Sequence, residues 1–270
     1  MAEHEPSSPL LLNKEMDQPS VFLPHALIRE ARRQKGLPDT PAPSVCVLDP
    51  DGDILRRLVS SGEARRCDHW PCYHSTLYAF RLGGGEIGIV ACVVGAPYAV
   101  LVAEQLFALG CELLVSITSA GEIAGLWPPP YFVLIERAMR DEGTSHHYLA
   151  PSTFVAADAG LIAATSDALK QAGVVFRTGV TWTTDAPFRE TRRAIEAARA
   201  QGVLAVEMEA AALYALAQSC HRQVVCLAHV TNTMGQNGED FEKGEDGGAV
   251  DALRVLEAVI AMRGKGNLPR

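Results

Sequence analysis

Val203-Leu-Ala-Val-Glu-Met-Glu-Ala-Ala-Ala-Leu-Tyr-Ala-Leu-Ala217 decides how this chain is read, because an apolar strand runs straight into an apolar helix with two carboxylates at the switch. A buried carboxylate without partners either gives up its charge or carries a large desolvation cost. The flanking Ala, Val and Leu supply no donors, so Glu207 and Glu209 call for a polar ligand. Residues two apart share one face of a strand but lie about 200° apart on a helix, so the geometry depends on where the switch falls. A helix-start glutamate favoured by the macrodipole, plus a salt-bridged one, accounts for the same residues.

Outward from this stretch, apolar runs predict strands over 45–48, 77–82, 87–94, 113–118, 131–135, 174–182 and 224–230. Helical spacing predicts helices over 97–109, 157–172, 189–200, 208–220 and 248–262. The alternation predicts an α/β fold, a mostly parallel or mixed sheet covered by helices on both faces. Ligands in such sheets bind beyond the carboxyl ends of strands. That rule selects Gly52 and Arg56, Gly95, 119–121, 183–188 and 231–233. The glycine-rich, acidic stretch 235–248 reads either as a mobile lid or as a solvated loop.

A chain of 270 residues with 48% hydrophobic side chains can bury one substantial domain. No apolar run approaches the roughly 20 residues of a membrane helix. A formal net charge of −8 argues against a duplex nucleic-acid surface. The seven cysteines are odd in number and show no C-x-x-C pair, which reads as reduced core thiols in a cytoplasm. Cys67, His69, Cys72 and His74 lie too close together for the two knuckles of a zinc site, so no metal is expected. Residues 1–18, rich in Ser, Pro and Glu, read as a flexible tail before a domain over 19–265.

Glu207-Met208-Glu209-Ala210-Ala211, followed by Leu213-Tyr214, resembles the signature of the purine nucleoside phosphorylase and uridine phosphorylase family. The resemblance runs from about residue 21 to 262. It implies a single domain whose central mixed sheet is partly barrel-like and flanked by helices. It also implies that Met208 packs under a ribose, that Glu209 accepts hydrogen bonds from the ribose hydroxyls, and that Glu207 lies near the base or sugar edge. No cofactor is implied beyond phosphate as co-substrate, and the family's dimers and hexamers imply a homo-oligomer.

Asp51-Gly-Asp-Ile-Leu-Arg56 matches the family's phosphate-loop spacing at Gly52 and Arg56, although a tight turn before a surface arginine gives the same residues. Val115-Ser-Ile-Thr-Ser-Ala-Gly121 matches at Ser119 and Gly121 but has Ser116 where the family carries arginine and Thr118 where it carries glycine. The segment 70–78 has His74 and lacks the arginine that many relatives supply across a subunit interface. One arginine compensates a phosphate dianion poorly, which makes water a competing acceptor.

In Gly179-Val-Thr-Trp-Thr-Thr-Asp-Ala-Pro-Phe-Arg189, the resemblance places Trp182 and Phe188 against the base, with Arg189 on a pyrimidine carbonyl. Core packing, the commoner fate of a strand tryptophan, accounts for Trp182, and a first-turn surface position accounts equally for Arg189. Asn232 stands where purine-cleaving relatives carry an acid. An amide hydrogen-bonds a base without protonating it, which favours a uridine-type substrate. His25 is offset by two residues from a histidine that relatives extend into a neighbour's ribose site, and His146 or His147 lies on the segment covering the substrate. The implied reaction is nucleoside cleavage by phosphate to ribose 1-phosphate and free base. Hydrolysis and non-catalytic nucleoside binding are the alternatives.

Overall fold

The computed structural model describes residues 8–234 and 241–264. In chain order the elements are α1 (Pro24–Lys35), β1 (Val45–Asp49), α2 (Asp53–Ser60), β2 (Arg65–Arg66), β3 (Leu77–Leu82), β4 (Gly85–Ala91) and α3 (Ala96–Ala108). There follow β5 (Leu113–Glu122), β6 (Tyr131–Asp141), β7 (Phe154–Ala156), α4 (Ala159–Gln171), β8 (Phe176–Thr184) and α5 (Arg192–Ala200). β9 (Val203–Glu207), α6 (Ala210–Cys220), β10 (Gln223–Asn232) and α7 (Ala249–Gly264) complete the fold.

The strands form one mixed sheet in the order β10-β6-β8-β9-β5-β1-β4-β3-β2, and β10 also pairs with β5. That extra pairing closes β10, β6, β8, β9 and β5 into a ring. β5 makes the closure because it is long enough to serve two partners on one edge. Residues 113–116 run parallel to β1, whereas Gly121 and Glu122 pair antiparallel with β9. The other edge of β5 follows β10 from Leu113 to Gly121. The partly barrel-like mixed sheet expected from the sequence is therefore present.

Alternation along β1 shows why both faces are covered. Val45 and Val47 pack with α2, α4 and α7, while Cys46 and Leu48 pack with α3 and α6. A strand buried on both faces reads as an unbroken apolar run, which is how the sequence displays it. α6 is buried along its first seven residues, Ala210 to Leu216. Its alanines let it lie close to the sheet, and its one large polar group is satisfied: Tyr214 Oη donates to Ile135 O (2.6 Å) and accepts from Cys226 N (3.1 Å).

α1 and α2 do not stand out in the sequence because each buries only two side chains, Ile28 and Ala31 in one and Ile54 and Leu58 in the other. Capping marks the ends of α1, with Pro24 in its first turn and Gly36 left-handed after its end. The expected helix over 189–200 starts at Arg192, where Thr191 Oγ1 accepts from Ala194 N (3.3 Å).

Five of the cysteines are buried, but Cys92 and Cys220 are exposed, which corrects the expectation of core thiols for those two. Cys67 and Cys72 belong to the core, and no group of three or more metal-binding side chains converges among the described residues. No helix among them is long and apolar enough to cross a membrane. Of the expected tail, residues 1–7 lie outside the described part, while Lys14 Nζ sits 3.0 Å from His147 Nδ1. The expected lid falls partly outside it too, at 235–240. Beyond that gap Lys243 pairs with Asp53 (2.7 Å) and Asp246 with Arg57 (2.7 Å).

Candidate active site

β9 ends at Glu207 and α6 begins at Ala210, so the strand-to-helix switch falls on Met208 and separates the two carboxylates. Glu207 turns inward and is fully engaged. Its Oε1 accepts from Thr181 Oγ1 (3.1 Å) and Thr183 Oγ1, and its Oε2 accepts from the backbone N–H groups of Glu209 (2.8 Å) and Ala210 (2.7 Å). Burial pushes its carboxyl above the usual range against the pull of these four donors. Glu207 thus secures the start of α6 and has no acceptor left for a base. Removing it in Glu207→Ala leaves two backbone donors and two hydroxyls without their carboxylate. Denaturant unfolding is expected to show a loss of about 2–4 kcal/mol.

Glu209 is arranged differently. It is 1% exposed, and its Oε1 accepts from Gly95 N (2.7 Å) at the start of α3, while its Oε2 has no partner. Burial, followed by the neighbouring Glu207 charge, pushes its carboxyl up to about 8. It lines a cavity of about 670 Å³ at the carboxyl ends of β5, β9 and β10, together with Ser119, Met208 and Asn232. Gly121 belongs to the same wall, where a Cβ would meet Met234 Cγ at 2.8 Å. The rim carries the Phe188 ring, 99% exposed, with Phe241 and Val94 nearby on the lining.

Of the residues assigned to phosphate, only Ser119 reaches this cavity. Three aspartates of the 49–53 segment engage all three expected donors. Gly52 N donates to Asp49 Oδ1 (3.1 Å), the Arg56 guanidinium pairs with Asp53, and Ser119 gives both its N–H (3.0 Å) and its hydroxyl to Asp51 Oδ2. The Arg56 side chain is 69% exposed and does not line the cavity, which matches the surface-arginine alternative. Asp49, buried and lifted to about 7 by desolvation, also accepts from Leu55 N (2.9 Å) and so caps α2. Ser116, at the family's arginine position, is buried with Oγ unpartnered.

Two of the residues assigned to the base stand apart as well. Trp182 packs into a core cluster with Val180, Val203 and Val206 and donates from Nε1 to Asp141 Oδ2 (2.9 Å), so core packing explains it. Arg189 is exposed in a short turn outside the cavity lining. Asn232 lines the cavity, but its Oδ1 accepts from Met234 N (2.9 Å) and its Nδ2 donates to Thr231 Oγ1 (3.2 Å). His25 lies exposed on α1, beside a different depression. His146 faces Arg140 (3.3 Å) and His147 faces Lys14, neither of them in the cavity. Asp51, Glu190 and Glu196 are lining residues that motif reading missed. Asp51 adjoined a selected glycine, which was the available signal.

The description "Phosphorylase superfamily" belongs to the family model that matches residues 44–261, most of the chain and all of this cavity's lining. The chain belongs to the phosphorylase superfamily. Among curated relatives, a uridine phosphorylase of Thermococcus kodakarensis is 27% identical over 174 residues, 58% of this chain and 63% of that protein. A DeoD-type purine nucleoside phosphorylase of Shewanella denitrificans is 26% identical over 151 residues, covering 55% and 64%. The matched region thus spans just under two thirds of either relative. A uridine phosphorylase from Vibrio fischeri superposes with a TM-score of 0.69 at 19% identity, covering 84% of this chain and 93% of that one. A purine nucleoside phosphorylase from Toxoplasma gondii, solved with immucillin-H, gives 0.72 at 14%, covering 86% and 96%. These superpositions establish the fold, a superfamily member's sheet closed into a ring and flanked by helices.

Proposed function

We propose that this superfamily member cleaves the N-glycosidic bond of a nucleoside in the cavity beside Glu209, with phosphate as acceptor and a uridine-type substrate first. The supporting observation is the free Glu209 Oε2. A buried carboxyl oxygen held ready by Gly95, with the Thr118 hydroxyl nearby but no formed hydrogen bond of its own, suits a pair of ribose hydroxyls. In this reading Met208 packs against the sugar and Phe188 covers the base, while Glu209 orients the ring as positive charge builds at the anomeric carbon. The names of the two curated relatives, both phosphorylases, support phosphate as acceptor, giving ribose 1-phosphate and free base. We place the reaction in a cytoplasmic homo-oligomer, a dimer or a hexamer, that needs no cofactor besides phosphate.

Hydrolysis is the second reading, favoured by one specific arrangement: the Asp51 carboxylate already holds the Ser119 donors that a phosphate would use. A carboxylate in that place repels a dianion and suits a water molecule. Base release from uridine and a nucleoside panel, in phosphate-free buffer and again with millimolar phosphate, separates the acceptors. Phosphorolysis predicts release only with phosphate and the appearance of ribose 1-phosphate. Equal release in both buffers would replace it with hydrolysis.

A further inference from the structure

Breaking a glycosidic bond requires that the departing base nitrogen receive a proton or strong hydrogen bonds. Asn232 cannot supply the proton, since an amide is no general acid; its Oδ1 accepts from Met234 N and one of its two Nδ2 hydrogens goes to Thr231 Oγ1, which leaves it at most a hydrogen bond for the base. Most other polar side chains of the lining are also committed. Asp51 is held by Ser119, Glu207 by four donors, and Arg199 Nε donates to Ile123 O (2.7 Å). Arg192 and Glu196 are exposed on α5.

Glu190 remains. It lines the cavity two residues after the rim residue Phe188 and two before α5, is half-buried, and makes no side-chain hydrogen bond or ion pair within the described residues. It stands on the β8–α5 connection, whereas Asp51 and Ser119 follow β1 and lie on β5. Ribose-binding Glu209 belongs to a third segment, the β9–α6 switch.

We propose that Glu190 is the acid that serves the leaving base, taking over what an acidic residue at position 232 would do. Burial alone holds its carboxyl near 7, so a substantial share keeps its proton at neutral pH. In the step, the C1′–N bond breaks with its electron pair going to the base, and the Glu190 proton moves onto the base. The acceptor oxygen bonds to C1′, and the proton it releases returns through solvent to Glu190. A neutral carboxyl also pairs its O–H and C=O with a base amide edge, which gives it a part in recognition.

The assignment rests on the nucleoside reading, so two measurements are paired. First, kcat/KM is compared for wild type, Glu190→Gln and Glu190→Ala on uridine and on 5-fluorouridine, whose more acidic base needs less help to leave. The expectation is a loss of about 100-fold on uridine and only a few-fold on 5-fluorouridine. Equal losses on the two substrates, or none, overturn the assignment. Second, calorimetry of free uracil binding does not depend on turnover. About tenfold weaker binding to Glu190→Ala supports the assignment, and unchanged binding overturns it. Failure of wild type to cleave any nucleoside counts against the nucleoside reading, and the uracil titration still decides Glu190.

Discussion

Glu209→Gln is expected to make the protein more stable at pH 8 while lowering kcat/KM on a nucleoside by at least ~100-fold. The carboxyl sits at about 8 in the folded chain, against an ordinary 4.5, because burial and the Glu207 charge oppose its ionisation. A carboxyl raised on folding favours the native state in its protonated form. Its stabilising contribution is therefore complete below about pH 4.5 and lost as pH rises through 8. Glutamine does not titrate, so the gap in unfolding free energy between variant and wild type should widen steadily from pH 5 to pH 8. At roughly 1.4 kcal/mol per pKa unit, reduced for relaxation of the site, the gap should reach on the order of 2–4 kcal/mol. Thermal melts across that range check it, and a variant that melts lower at pH 8 contradicts it. The loss of activity is read at pH 8, where about half of the carboxyl is ionised, because an amide accepts more weakly from two hydroxyls than a carboxylate does and each charge-assisted bond contributes about 1.5–3 kcal/mol.

Asp51→Ala is expected to move the acceptor preference toward phosphate, lowering the KM for phosphate by at least ~10-fold. Two consequences of the substitution act together. The Ser119 N–H and hydroxyl, now held by Asp51 Oδ2, become available to an oxyanion, and a negative charge leaves the acceptor end of the cavity. Two like charges about 5 Å apart at an effective dielectric of 20 repel by roughly 3 kcal/mol, enough for the stated change. Lys243, 3.7 Å from Asp51 and 2.7 Å from Asp53, remains as the nearby cation. Any phosphate-independent release should fall in the same variant, because the carboxylate that suits a water molecule is gone. Phosphate titrations of wild type and variant decide the matter, and an unchanged KM would show that the aspartate does not govern the acceptor.

The fold was legible where burial is two-sided. The runs at 45–48, 113–118 and 224–230 announce β1, β5 and β10 because both faces of those strands meet helices. α1 and α2 escaped because they are charged, mostly solvated helices that bury two residues apiece, so no apolar run announces them although their apolar residues share one face. Glu209 was legible because a carboxylate inside an alanine-rich run has few explanations. Its neighbour turned out to be the helix-start glutamate that the macrodipole alone would favour.

The structure turns the Gly52 and Arg56 donors away from the cavity for a reason that spacing cannot show. Whether a glycine N–H or a guanidinium is free depends on what folds onto it, and here Asp49 and Asp53 do. Trp182 was ambiguous because its polar handle finds Asp141 on the neighbouring strand, a pairing across 41 positions. Glu190 carries no motif at all. Its significance comes from the cavity it borders and from the amide at Asn232, which has no proton to give to a leaving base.

The most direct test of the ribose-site account is base release by the wild-type chain from uridine and from 2′,3′-dideoxyuridine, followed side by side at pH 8 with millimolar phosphate. The account predicts uracil from uridine and at least ~100-fold slower release from the dideoxy analogue, which has no hydroxyls to offer Glu209 Oε2. Equal rates on the two, or no base from any ribonucleoside, would contradict it.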